Sequence, residues 1–168
     1  MTTPALKDAP SFAGHSPDQE RPLGGYAVLM GTFVAAGGSF AAWLRASGRE
    51  LPETFGAADL AVAAVTTHKL SRLISKDRVT STVRAPFTRF QGDSGAGEVD
   101  EAARGRGLRR ALGELLVCPF CLGLWISSAY TAGLLVAPRA TRWIGFVICA
   151  ETAADVLQFA YKKAEVSV

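Results

Sequence analysis

Two cysteines three positions apart are the side chains of this sequence best suited to chemistry. They form the motif Cys118-Pro-Phe-Cys121, directly before a long apolar run. Pro119 suits the first turn of a helix, which makes Cys118 the expected N-cap residue. A helix N-terminus lowers the pKa of nearby thiols and raises their reactivity. A thiol-redox site is therefore the first interpretation, although such a site normally follows a strand in a βαβ unit, which this sequence does not predict.

A metal site is the second interpretation of the same cysteine pair. Two thiolates at this spacing supply half of a tetrahedral zinc site. The missing ligands would come from His68, from Cys149 or from the same pair in a second subunit, and Cys149 is the weaker candidate because it falls near the middle of an apolar run. The third interpretation is structural, with two small polarizable side chains packed at a helix entrance. The incomplete ligand set favours the structural interpretation, and zinc is the one cofactor that the sequence leaves open.

Acids inside apolar runs are the second group of candidate functional residues. Glu151 and Asp155 are four residues apart and share a helix face, and Asp59 interrupts an earlier run. A charge at the bilayer centre costs about 2.5–3.5 kcal/mol on insertion scales. These acids must therefore face the bundle interior, be protonated or pair, and His68 or Arg72 are the expected partners. The alternative is a shallow helix with both acids near cytoplasmic water. Glu151 is the candidate for a small oligomeric transporter or channel.

Four apolar runs position these residues. They cover about residues 26–44, 52–70, 119–137 and 143–161, and the second and fourth contain charges. About 20 apolar residues, rising about 1.5 Å each, cross a hydrocarbon core of about 30 Å. The composition agrees, because 49% of the residues are hydrophobic and only 20% are charged. We therefore predict an all-α fold, a small transmembrane helical bundle of about four spans.

The distribution of lysine and arginine predicts the orientation of this bundle. Ten of the eighteen basic residues lie between Lys69 and Arg110, whereas the short turns at 45–53 and 138–142 and the two tails hold two each. Both termini are therefore expected in the cytoplasm. Residues 1–25 are predicted to be a disordered cytoplasmic tail, and residues 163–168 form a short second tail.

The segment 69–117 is predicted to be a basic amphipathic arm in the cytoplasm. Residues 91–107 are rich in glycine and mixed charge and predict a flexible loop, and residues 108–117 predict a helix. A basic amphipathic segment beside a membrane favours anionic lipid head groups, although an ordinary positive-inside loop has the same composition. Nucleic-acid binding is not expected, because no recognised binding fold accompanies the charge. The candidate lipid- or partner-binding residues are Lys69, Arg72, Lys76, Arg78, Arg84 and Arg89.

Several blocks of the chain, in order, carry a family resemblance. They are His68-Lys-Leu-Ser-Arg-Leu-Ile, Asp77-Arg-Val-Thr, Arg84-Ala-Pro-Phe, Gly113-Glu-Leu-Leu and Cys118-Pro-Phe-Cys-Leu-Gly-Leu-Trp125. Over about residues 55–162, the chain resembles a bacterial family of small membrane proteins known as domain of unknown function 1360. The resemblance implies a multi-pass protein of the bacterial plasma membrane and a membrane domain over about 52–162. Some family members are labelled as sporulation-related, and the family has no agreed activity, substrate or cofactor.

Three classes of function follow from these observations. A membrane scaffold or interaction protein is the first, because the arm is the most elaborated segment. Its expected partners are the anionic bilayer and a second copy or another membrane protein. A metal or thiol site at the cysteine pair is the second class, and a transporter or channel is the third. The sequence does not favour an enzyme, since it contains two histidines and one of them, His15, lies in the tail.

Overall fold

The computed structural model describes residue 15 and residues 21–166. Most of the predicted tail at residues 1–25 therefore lies outside the described residues, as do residues 167 and 168. The described part contains six helices and two strands, in the order α1 (Leu23–Ala46), α2 (Ala57–Lys76), α3 (Ser81–Arg84), β1 (Thr88–Gly95), β2 (Glu98–Ala103), α4 (Gly107–Val117), α5 (Pro119–Val136) and α6 (Pro138–Val166).

The chain forms two compact units. The hairpin unit consists of the described residues up to Glu50 together with Ser75–Cys118, and so contains α1, both strands, α3 and α4. The bundle unit consists of Leu51–Ile74 and the described residues from Pro119 onwards, and so contains most of α2 together with α5 and α6.

Three helices, α1, α5 and α6, are long and apolar enough to cross a membrane by length and composition. They cover the predicted runs 26–44, 119–137 and 143–161, which confirms the helices that hydropathy indicated. α6 begins earlier than expected, because Pro138 occupies its first position and the predicted link 138–142 forms its first turn. The three helices support the assignment to a membrane.

The second predicted span differs from the other three. α2 covers most of the run 52–70 and continues to Lys76. It is not among the helices of the described part that are apolar enough to cross a membrane unaided. It buries the hydroxyl side chains of Thr66 and Ser71, whose exposed fractions are 0% and 4%. Four spans and two cytoplasmic termini stay predictions.

The prediction of a flexible loop at 91–107 was wrong, and so was the prediction of a purely α-helical fold. β1 and β2 form an antiparallel hairpin whose register pairs Thr88 with Ala103 and Gly95 with Glu98. Positive φ angles at Gly95, Ala96 and Gly97 turn the chain between the strands. The glycines that indicated flexibility therefore make a tight turn, and the fold is mostly helical with one small sheet.

Small residues allow α4 to pack closely within the hairpin unit. A Cβ at Gly113 would lie 2.5 Å from the Phe87 carbonyl oxygen and 2.9 Å from the Ala103 Cβ. A Cβ at Gly25 would lie 2.6 Å from the Ala111 Cβ, and Ala111 is completely buried. α4 therefore contacts the hairpin through Gly113 and α1 through Ala111.

Close contacts in the bundle unit show that α5 and α6 pack antiparallel. Gly133 lies against Thr141, and Gly145 lies against the Tyr130 hydroxyl and Val62. The α5 residue of the second contact, Tyr130, precedes Gly133, whereas its α6 residue, Gly145, follows Thr141. The two helices therefore run in opposite directions. Val62 belongs to α2, which therefore packs at the same crossing.

Candidate functional site

A buried ion pair lies at the centre of the hairpin unit. The Arg84 side chain is 0% exposed and the Glu101 side chain is 4% exposed. Arg84 Nε donates to Glu101 Oε2 at 3.1 Å, and Arg84 Nη2 donates to Oε1 at 3.0 Å. Two parallel bonds of this kind are the strongest geometry for a guanidinium and a carboxylate. The pair joins the end of α3 to the middle of β2.

Hydroxyl groups complete the surroundings of this ion pair. Thr88 donates to Glu101 Oε2 at 2.5 Å, and Ser81 donates to Oε1 at 2.7 Å. Arg84 Nη1 donates to the Thr80 hydroxyl at 2.6 Å. Burial alone would raise the pKa of Glu101, but the hydrogen bonds from Arg84, Thr88 and Ser81 outweigh it and hold the pKa below its ordinary value.

Three of the predicted lipid- or partner-binding residues are engaged inside the hairpin unit. The Arg84 side chain has no exposed surface and pairs with Glu101. Lys76 Nζ lies 2.9 Å from an Asp100 carboxylate oxygen, and Arg78 Nη2 lies 2.9 Å from an Asp93 oxygen. Both acids belong to the hairpin. The predicted loop therefore neutralises much of the charge that precedes it.

The other three predicted basic residues have different surroundings. Lys69 belongs to the bundle unit and pairs with two acids there. Arg72 is exposed on α2. Arg89 is exposed on β1, opposite Ala102, and has no ion-pair partner in the described part of the chain. Within the hairpin, Arg89 is therefore the predicted residue whose charge is available to an external anion.

Three further exposed arginines follow in the chain, and the sequence pattern alone did not indicate them. Arg104 Nη2 donates to the Ala85 carbonyl at 2.8 Å, and Arg109 donates to the next carbonyl, Pro86, at 2.8 Å from Nε and 2.6 Å from Nη2. Arg106 is the exposed N-cap residue of α4. Carbonyl oxygens orient these guanidinium groups without neutralising them. We call Arg89, Arg104, Arg106 and Arg109 the arginine face.

The signal for the arginine face was present in the sequence. Arg104, Arg106 and Arg109 follow one another within six positions. The surrounding residues are rich in glycine and mixed charge, which predicts a flexible loop. The pattern therefore did not indicate that these arginines lie on an ordered part of the chain. No carboxylate within the described residues forms a salt bridge with any member of the face, whereas Arg110 at its edge pairs with Glu114 at 3.0 Å.

The acids of the bundle unit are paired, but not with the predicted partners. Lys69 Nζ lies 2.9 Å from Glu151 Oε2 and 2.5 Å from Asp155 Oδ2. Asp59 accepts two hydrogen bonds of 3.1 Å from the Arg142 guanidinium. The expectation that His68 or Arg72 pairs with Glu151 and Asp155 is corrected, since Lys69 takes that place. The transporter or channel interpretation of Glu151 stays a prediction.

The cysteine pair stands at the junction of two helices. α4 ends at Val117 and α5 begins at Pro119, which confirms the predicted helix start at the proline. Cys118 and Cys121 are disulfide-bonded, and Cys149 is a free thiol. In this form the two sulfurs are not thiolate ligands.

Metal binding at the cysteine pair stays a prediction. Among residue 15 and residues 21–166, no three His, Cys, Asp or Glu side chains form a group that could hold a metal ion. His68 lies exposed on α2. The zinc interpretation therefore gains no further ligand from the described residues.

Comparison with known proteins identifies relatives of the central and C-terminal parts of the chain. The family described as "Protein of unknown function (DUF1360)" matches residues 62–161. The chain is also similar to "Sporulation protein YjcA" of Bacillus subtilis (strain 168), with 26% identity over 93 residues, which are 54% of this chain and 79% of that protein. No solved structure matches the chain. The matched range includes the buried pair of Arg84 and Glu101, the cluster around Lys69 and the arginine face.

Proposed function

The chain belongs to the DUF1360 family, and we propose that it is a membrane interaction protein whose hairpin unit binds anionic lipid head groups at the cytoplasmic surface. The observation that carries the proposal is the arginine face. Its four guanidinium groups have no carboxylate partner in the described part of the chain, while neighbouring cations such as Lys76 and Arg78 do. The fold thus separates neutralised charge from available charge.

The position of the face along the chain favours a lipid ligand. α4 begins just after Arg106 and is followed, after Cys118 alone, by α5, a helix apolar enough to cross a membrane. A surface tethered by so short a segment meets head groups at a high effective concentration. Each basic residue near an anionic membrane surface contributes about 1 kcal/mol, so four arginines supply about 4 kcal/mol at low ionic strength.

Exposed apolar side chains also flank the arginines along the chain. Phe90 follows Arg89 and is 61% exposed, and Leu108 precedes Arg109 and is 45% exposed. Surfaces that combine basic and apolar side chains bind at the boundary between head groups and acyl chains.

Lipid retention by the full chain tests the proposal. The protein, extracted from membranes that contain phosphatidylglycerol and phosphatidylethanolamine, is measured by native mass spectrometry in detergent. We expect the wild type to retain phosphatidylglycerol, and a variant with all four arginines of the face changed to glutamine to lose that preference.

A matched control changes paired charges in the same unit. In the double variant Arg78→Gln with Asp93→Asn, an exposed ion pair is removed and the net charge stays constant. This variant should retain phosphatidylglycerol as the wild type does. Equal retention by the wild type and the four-arginine variant would refute the lipid-binding proposal.

A further inference from the structure

The cluster of Lys69, Glu151 and Asp155 in the bundle unit carries an excess negative charge. One ammonium lies 2.9 Å from the first carboxylate and 2.5 Å from the second. One positive and two negative charges leave a net charge of −1. Glu151 and Asp155 have no other cation within ion-pair distance in the described part of the chain. The cluster is therefore incompletely neutralised.

The excess charge lies on the outside of the bundle unit. The Lys69 side chain is 17% exposed, whereas the Glu151 and Asp155 side chains are 47% and 37% exposed. The cation is thus the inner member of the cluster and the carboxylates are the outer members. α5, the other helix packed against α6, has no charged residue between Pro119 and Val136.

The cluster also lies far from both basic ends of α6. Glu151 is nine residues after Arg142, and Asp155 is seven residues before Lys162. At a helical rise of about 1.5 Å per residue, these separations are about 13 Å and about 10 Å. Basic residues mark the ends of membrane-spanning helices, so both acids fall within the segment of α6 that would cross the hydrocarbon core.

Lipid is an unfavourable neighbour for this face. A carboxylate in the hydrocarbon core costs about 2.5–3.5 kcal/mol on insertion scales. The two acids share one face of α6 with Ile144 and Val147, since these residues follow one another three or four positions apart. Ile144 and Val147 are 55% and 54% exposed, so this stripe of residues is apolar towards the N-terminus of α6. Gln158 extends the polar end of the stripe. The stripe is thus a helix-sized surface with a negative charge at a defined depth.

We infer that this α6 stripe binds a membrane-spanning helix of another protein, and that this helix carries a lysine or arginine at the depth of Glu151 and Asp155. Charge complementarity selects this occupant, because the cation would bring the cluster to neutrality. A second copy of the chain would bring the same net charge of −1 to the contact, so it is the less favourable occupant. The inference does not depend on the arginine face.

A synthetic helix of defined charge serves as the probe. The labelled full chain is reconstituted in phosphatidylcholine vesicles with a labelled leucine–alanine peptide that spans the bilayer, and energy transfer reports their association. The peptide has either no cation or one lysine at the depth of the two acids. We expect about fivefold tighter association with the lysine peptide, the scale of a polar contact between membrane helices.

The variant Glu151→Gln makes the cluster neutral and leaves the bond from Lys69 to Asp155 in place. It should lose the preference for the lysine peptide while its thermal unfolding in detergent stays close to that of the wild type. Glu165→Gln makes the same charge change near the end of α6 and should keep the preference.

Three results would overturn the inference. The first is equal association of the wild type with the lysine peptide and the uncharged peptide. The second is a preference that persists when the lysine is moved from the depth of the acids to one end of the peptide, which would indicate unspecific attraction. The third is association between two labelled copies of the chain that is lost in Glu151→Gln, which would identify a second copy as the occupant.

Discussion

The Arg84 guanidinium and the Glu101 carboxylate are joined by two hydrogen bonds, of 3.1 and 3.0 Å, although the two residues are 17 positions apart in the chain. Both side chains are buried, so water offers neither group an alternative partner. The pair fixes β2 against the end of α3. The hairpin that presents the arginine face is therefore held in place by an ion pair that must be complete.

Removing the cation of this pair should unfold the hairpin locally. In Arg84→Ala the Glu101 carboxylate stays buried without its counter-charge, a change that costs about 3–5 kcal/mol in proteins. Hydrogen exchange of the purified full chain should show lost protection of the β1 and β2 amides. Arg78→Ala removes one partner of an exposed ion pair and should change protection little. Similar protection in the two variants would show that the buried pair does not hold the hairpin.

Acid should weaken the same contact. The pKa of Glu101 lies below its ordinary value of 4.5, since hydrogen bonds from Arg84, Thr88 and Ser81 outweigh the effect of burial. A lowered pKa in the folded state gives stability that is fully present above pH 4.5 and is lost as the pH falls through the folded-state pKa. Amide protection of β2 should therefore be constant above about pH 4.5 and decrease as the pH falls further.

The variant Glu101→Gln separates this effect from general acid unfolding. A glutamine side chain does not titrate, so its contribution to the pH dependence of β2 protection should disappear. The variant should be less protected at neutral pH, because the buried Arg84 then lacks its counter-charge. A pH profile of the variant that keeps the wild-type slope would assign the acid sensitivity to other groups.

Close packing of the bundle unit depends on Gly145. A Cβ at this position would overlap the Tyr130 hydroxyl and lie 2.7 Å from Val62 Cγ1. Gly145→Ala should lower the thermal stability of the detergent-purified chain, by about 1–3 kcal/mol for an overpacked contact. Gly37→Ala adds the same methyl group on α1, where nothing lies within 4 Å, and should not lower stability.

A second substitution tests which contact is responsible. Tyr130→Phe removes the hydroxyl that the new methyl group would meet, so the double variant Tyr130→Phe with Gly145→Ala should recover part of the lost stability. No recovery would place the conflict at Val62 or at the Tyr130 ring, whose Cζ lies 3.1 Å from the same Cβ. The thermal midpoints of the four proteins form a double-mutant cycle, which isolates the contact between the two positions.

Hydropathy predicted the helices of this chain because each apolar run is a local signal. α1, α5 and α6 cover three of the four predicted runs, and Pro119 and Pro138 each occupy a first helical position. The hairpin was missed because its stabilising contacts are not local. Arg84 meets Glu101, and Lys76 meets Asp100, across 17 and 24 residues. Composition alone gives glycine and mixed charge, which a mobile loop shares with a tight hairpin.

The partner of the bundle acids was missed for a geometric reason. Consecutive residues of a helix point about 100° apart, so His68 and Lys69 face different neighbours although they are adjacent. Which of them faces α6 depends on the rotation of α2 about its axis, and only packing sets that rotation. The packing contact of Val62 with Gly145 shows the rotation that the structure adopts.

Removing the charge of Lys69 alone should destabilise the bundle unit more than removing the charges of Lys69, Glu151 and Asp155 together. Lys69→Met leaves Glu151 and Asp155 without a cation, and each carboxylate in a membrane costs about 2.5–3.5 kcal/mol on insertion scales. We expect less monodisperse protein after extraction from membranes and a lower thermal midpoint. The triple variant of Lys69→Met, Glu151→Gln and Asp155→Asn removes every charge of the cluster and should recover the yield and the thermal midpoint. The control Lys162→Met, near the end of α6, should behave as the wild type. If the triple variant were no better than Lys69→Met, the loss would come from the packing of the lysine stem and not from the two uncompensated carboxylates.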